Sequence, residues 1–172
     1  MVTVSPSGST TTAVTYTPIA TNTLSSTAYS VTFSSITGTY KDLVLVIYNG
    51  AANAASLNLT VNSDSGSNYG TTWLLGNGTA AQSSIESSGS RIFLGENGPT
   101  AATPAGVVII NFMNYSNTTT YKTVLSRLNR ADHKVYATVG NWRSTSAISS
   151  VTITLSELFC TGSTFTLYGI GA

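Results

Sequence analysis

From Val14 onward, apolar and polar residues alternate over short runs, the period of two expected where one face of a β-strand is covered and the other is wet. Tyr29, Val31 and Phe33 stand in phase on one face. Leu57, Leu59 and Val61 alternate with Asn58, Thr60 and Asn62 in the same way. Two segments are apolar on both faces: 42–48, where Leu43, Leu45 and Ile47 interleave with Val44, Val46 and Tyr48, and 106–113. Strands of that kind belong in the middle of a sheet. Residues 121–128, 134–142, 149–155 and 163–168 return to alternation, so about ten strands are expected.

Turn-forming pairs separate these runs. Asn49-Gly50, Asp64-Ser-Gly66, Asn77-Gly78, Asn97-Gly98-Pro99 and Thr161-Gly162 supply residues that tolerate positive φ where the chain reverses. No segment sustains a period of 3.6; residues 51–56 and 80–87 read as loops or single helical turns. The stretches 76–90 and 95–105 read as long connections between sheets. Many short strands, each with a face to cover, predict an all-β fold: a two-sheet antiparallel jelly-roll-like sandwich. It is expected as one domain over residues 14–172, preceded at 1–13 by an extended N-terminal arm rich in Ser and Thr. The Cys, Trp, Cys spacing of immunoglobulin domains is missing.

Composition narrows the class of function. Hydrophobic residues make up 41% of the 172 residues and charged residues 8%, about a third of the usual ~25%, so the polar surface is built from Ser, Thr, Asn and Gly. A net charge of +1 gives no field to gather nucleic acid, and none is expected as a partner. Weak charge repulsion favours association, so a homo-oligomer is expected. Cys160 is the single cysteine and reads as a small buried hydrophobe, leaving packing to hold the fold. No stretch approaches the ~20 apolar residues of a spanning helix, and no membrane is expected as a partner. The first residues lack the basic and apolar regions of a signal peptide.

The residues that carry chemistry elsewhere are sparse here, and no enzyme is expected. His133 is the only histidine, and its neighbour Asp132 points to the opposite face if both lie on a strand. No Gly-x-Ser-x-Gly elbow accompanies them. The six carboxylates, Asp42, Asp64, Glu86, Glu96, Asp132 and Glu157, sit singly, whereas glycosidase chemistry needs a pair at set separation. Residues 62–68 space oxygen-bearing side chains around Gly66 as a calcium loop does, but Trp73 stands where the bidentate glutamate belongs. A hairpin turn with Asx hydrogen bonds is the preferred reading, and neither cofactor nor metal is expected. The sequons at Asn58, Asn77, Asn114 and Asn117 follow from the Asn- and Thr-rich composition. Tyr69, Trp73, Tyr115 and Trp142 are the candidate contacts to a glycan or protein partner, set against the competing role of core packing.

Several stretches together resemble a recurrent small domain in proteins of tailed bacteriophages, including cyanophages. They are Tyr16-Thr-Pro-Ile-Ala-Thr-Asn-Thr-Leu, Ser30-Val-Thr-Phe-Ser-Ser-Ile, Tyr40-Lys-Asp-Leu-Val-Leu-Val and Asn62-Ser-Asp-Ser-Gly-Ser-Asn-Tyr. Tyr121-Lys-Thr-Val-Leu-Ser-Arg, the segment from Trp142 to Ile153 and the ending Gly162-Ser-Thr-Phe-Thr-Leu-Tyr-Gly-Ile complete the pattern. The resemblance implies a jelly-roll or lectin-like domain on the virion exterior and brings no catalytic motif. On that basis the expected function is an oligomeric capsid decoration or cement protein, as a homotrimer, with the major capsid protein or a tail or neck component as partner. The alternative is the receptor-binding module of a tail or neck fibre that recognises host surface glycans. The chain departs from long fibre proteins in carrying only a short arm, with no coiled-coil or repeat shaft ahead of the domain.

Overall fold

The computed structural model describes residues 16–51, 55–96, 106–130 and 134–171. The arm at 1–13, the Asn97-Gly98-Pro99 turn and the Asp132–His133 pair lie outside these residues. Among the described residues are twelve strands and no helix. They are β1 (Thr17–Thr23), β2 (Ala28–Phe33), β3 (Asp42–Asn49), β4 (Ser56–Val61), β5 (Tyr69–Gly76) and β6 (Ala81–Gly89), then β7 (Ile92–Glu96), β8 (Gly106–Met113), β9 (Lys122–Arg130), β10 (Lys134–Trp142), β11 (Val151–Phe159) and β12 (Thr164–Ile170). One sheet holds eight strands in the order β1-β12-β3-β8-β9-β10-β5-β6, the other four in the order β2-β11-β4-β7. Every neighbouring pair is antiparallel.

The expected all-β, jelly-roll-like sandwich is thus the observed architecture. With the hairpins β5–β6 and β9–β10 set aside, the remaining eight strands run first-eighth-third-sixth in one sheet and second-seventh-fourth-fifth in the other. That is the strand order of a jelly roll. The two hairpins pair with each other through β10 and β5 and extend the larger sheet beyond β8.

The described residues hold twelve strands where about ten were expected, and one expectation is corrected: residues 81–89 are a strand, not a loop or helical turn. The stretch 76–90 therefore closes a hairpin within one sheet and is not a crossing between sheets. The reason lies in coverage: β6 is an edge strand exposed along eight of its nine residues, so no covered face imposes an apolar period.

The core lies between the sheets. Leu43, Leu45 and Ile47 of β3 and Val108, Ile110 and Phe112 of β8 face Leu57 and Leu59 of β4 and Val151 and Ile153 of β11, all without solvent exposure. Each such side chain contributes about 1.5–3 kcal/mol on burial. β7 is also drawn against the inner side of β10, and Gly140 makes that approach possible. A Cβ at position 140 would stand 2.5 Å from Cγ2 of Ile92. Gly169 leaves similar room for the ring of Tyr40.

Candidate functional site

The aromatic candidates are placed by strand phase. Tyr69 opens β5 and pairs in register with Trp142 at the end of β10, and both rings turn into the core, 0% and 3% exposed. Tyr115, just after β8, is 0% exposed. Their polar ends are occupied. The Tyr69 hydroxyl donates to the carbonyl of Asp64 (2.9 Å) and accepts from the Val61 N–H (3.1 Å). Trp142 Nε1 donates to Asp64 Oδ2 (2.7 Å), while the Tyr115 hydroxyl donates to the Thr37 carbonyl. Trp73 is half-buried against Phe93 and Tyr136, with ring centroids 6.0 and 5.8 Å away.

The expectation that Tyr69, Tyr115 and Trp142 serve as stacking contacts for a glycan is therefore corrected, because a buried ring has no face to offer a sugar. Alternation shows which residues share a face. It does not show which face the second sheet covers.

The 62–68 loop is built around the Asp64 carboxylate, whose oxygens accept from the Gly66 N–H (2.8 Å), Asn68 Nδ2 (2.9 Å) and Trp142 Nε1. These bonds, with that from Trp142 foremost, hold the Asp64 carboxyl below its ordinary value of 3.8. The donors are all N–H groups, so the carboxylate serves as the acceptor of a turn. Asn62, at φ +53°, completes the loop: Oδ1 accepts from the N–H groups of Ser149 (2.8 Å) and Ser150 (3.1 Å), and Nδ2 donates to the Ala147 carbonyl. Among the described residues, no group of three His, Cys, Asp or Glu side chains stands close enough to hold a metal.

Three of the four sequons have local structural roles. Oδ1 of Asn77 accepts from the N–H and hydroxyl of Thr79, and Oδ1 of Asn117 does the same with Thr119. Asn-x-Thr is here the spacing of an Asx turn. Asn58 Oδ1 instead accepts from Arg91 Nε at 2.8 Å.

Lys122 was not singled out by its sequence. It is 1% exposed, with Nζ donating to the carbonyls of Thr120 (2.8 Å) and Thr145 (3.2 Å), and burial lowers its pKa. The lysine ties the 117–120 turn to the segment after β10.

The surface with the most to offer a partner is the outer face of the eight-stranded sheet. Strand register sets its side chains in rows. Asn111, Leu125, Val139, Thr72 and Ile85 run side by side from β8 to β6. The next row is Val46, Ile109, Arg127, Ala137 and Leu74, from β3 to β5. Ile85 and Leu74 are 73% and 60% exposed. Two shallow troughs, about 530 and 470 Å³, cross this face and share Leu74, Arg127 and Ala137 in their walls. Thr72, Asn111 and Arg127 stand among their walls, but most of the exposed wall is apolar, which suits apolar side chains of a protein better than the hydroxyl-rich rim of a sugar.

No protein-family model and no curated protein matches the chain. A solved structure of an alginate lyase variant in complex with an alginate tetrasaccharide aligns over 91% of this chain and 80% of that one, at 11% identity and a TM-score of 0.23. A likeness at that level carries no argument about this chain.

Proposed function

We propose that this chain is a structural protein of a bacteriophage virion, an oligomeric decoration or cement protein, trimeric and bound to the capsid exterior. The observation that carries the reading is the broad apolar outer face of the eight-stranded sheet, a kind of surface that marks protein contact. The near-neutral surface, rich in Ser and Thr, and the resemblance of the chain to small domains of tailed-phage proteins supply the setting. The function is then mechanical: a rigid sandwich adds contacts over a preformed shell and stabilises the assembled state by mass action. The major capsid protein is the partner expected on the shell.

Antibody-gold labelling of purified particles tests this. Label distributed over the capsid is the expected result, and label confined to the tail tip or neck overturns it in favour of a fibre module.

A further inference from the structure

We infer that the outer face of the eight-stranded sheet is buried against a second copy of this chain. This goes beyond the proposed function: two copies that bury the same face form a two-fold pair, a contact distinct from the heterologous one that closes a trimer, and the inference rests on the face and not on the virion setting.

The first support is extent. Five strands from β8 to β6 carry its open part; beyond them Val44 of β3, in register with Asn111, is 4% exposed. A third row, Val107, Asn129, Val135, Gly76 and Ala81, runs beside the two described; at about 4.8 Å between strands and about 6.8 Å between rows, the three rows over these five strands cover roughly 500 Å² on each copy. A face-to-face pair then removes about 1,000 Å² from water, the level of about 1,000 Å² at which specific interfaces begin.

The second support is chemistry. Leu74, Ile85, Leu125, Val135 and Val139 are each at least 40% exposed and lie within four adjacent strands. Other large exposed hydrophobes, such as Ile19, Tyr29 and Tyr121, lie on other elements. Within the three rows, and among the described residues, Arg127 is the one formal charge. It stands between Leu125 and Asn129 on β9, with Asn111 one row away on β8.

A partner for such a surface must itself be apolar and nearly uncharged, or it would leave charges desolvated. The same face on another copy meets that condition. It is also always present at matching concentration. Arginine is common in the cores of protein interfaces, and the amide side chains of Asn111 and Asn129 supply the polar partners that a facing Arg127 needs.

The test uses the whole chain in solution. Native mass at roughly 100 µM is expected to be two or more copies of the 17.8 kDa chain. The paired substitutions Leu74→Glu and Leu125→Glu should weaken self-association by roughly a hundredfold, because they place charge in a dry contact. Tyr29→Glu, on the smaller sheet, should leave it unchanged. Carbene footprinting of the unmodified chain guards against misfolding of the variants: labelling of Leu74, Leu125 and Val139 should fall several-fold between the dilute monomer and the concentrated oligomer.

A monomer at the higher concentration overturns the inference. So does an oligomer whose footprint spares this face, or a face protected only when a different virion protein is added. Self-association without capsid labelling would leave the inference standing and remove the decoration role; capsid labelling by a monomer would do the reverse.

Discussion

Tyr69 places a hydroxyl where water does not reach, between the end of β4 and the turn that follows it. It accepts from the Val61 N–H and donates to the Asp64 carbonyl. Tyr69→Phe keeps the ring but strands both groups, so a loss of about 1–3 kcal/mol is expected in urea unfolding. The same burial pushes the phenol up to about 12, whereas in the unfolded chain it titrates near 10.0. The stability tied to this shift is therefore fully present below pH 10 and is lost as pH rises towards 12. Comparing unfolding midpoints at about pH 8 and about pH 11 should show a smaller alkaline loss in Tyr69→Phe than in the parent. Asp64 works at the other end of the scale: held below 3.8, its contribution is complete above that value and disappears as pH falls through the lowered one. The turn at 64–66 was legible in the sequence from Asp-Ser-Gly. Its tie to Trp142 was not, because the partner stands 78 positions away and only the β5–β10 register brings it near.

Strands announce themselves in a sequence to the degree that something covers them. β9 and β10 alternate cleanly because one side packs on the core and the other does not, and both were legible nearly to their ends. β3 reads as central because it is apolar on both sides, and it does lie between β12 and β8. β6 gave no signal, and its attachment rests instead on β5 and on Arg143. The Arg143 guanidinium donates from Nη1 to the Ser87 carbonyl (2.5 Å) and from Nη2 to the Ser67 carbonyl (2.6 Å). Arg143→Ala should cost about 1 kcal/mol in total stability. Hydrogen exchange should show the β6 amides opening several-fold faster while those of β3 and β8 keep their protection. At the opposite extreme of crowding, Gly140→Ala forces a methyl against Ile92 and is expected to cost about 1–3 kcal/mol. Ile92→Ala removes all three atoms that the new methyl meets, so it should cost less in the Gly140→Ala background than alone, measurable as a coupling energy in a double-mutant cycle.

At the scale of the molecule, the fold class and a large part of the strand set were readable because period and turn chemistry are local signals. The location of the interactive surface was not. Leu74, Leu125 and Val139 belong to three strands whose order in the sheet, β9-β10-β5, departs from their order in the chain. Their joint face exists only once the two hairpins meet. Conversely, the aromatics that attracted a glycan reading turned inward. A glycan array probed with this chain should accordingly show no saturable binding that depends on Tyr69, Tyr115 or Trp142; binding abolished by conservative changes there, with the fold intact by circular dichroism, would contradict the role assigned to them.

The strand order also dictates a sequence of events in time. β12 lies between β1 and β3, and β11 lies between β2 and β4, so in each sheet the place next to one edge is filled by a segment synthesised after its neighbours. Until residues 164–170 leave the ribosome, β3 can pair with β8 on one side only, and β1 has no neighbour at all. The nascent chain must carry Leu43, Leu45 and Ile47 with one edge open and the covering sheet unfinished. Such long-range closure is slow relative to local pairing. The sandwich is in this sense a late-closing one: neither sheet is continuous until β11 and β12 have taken their places between strands made before them.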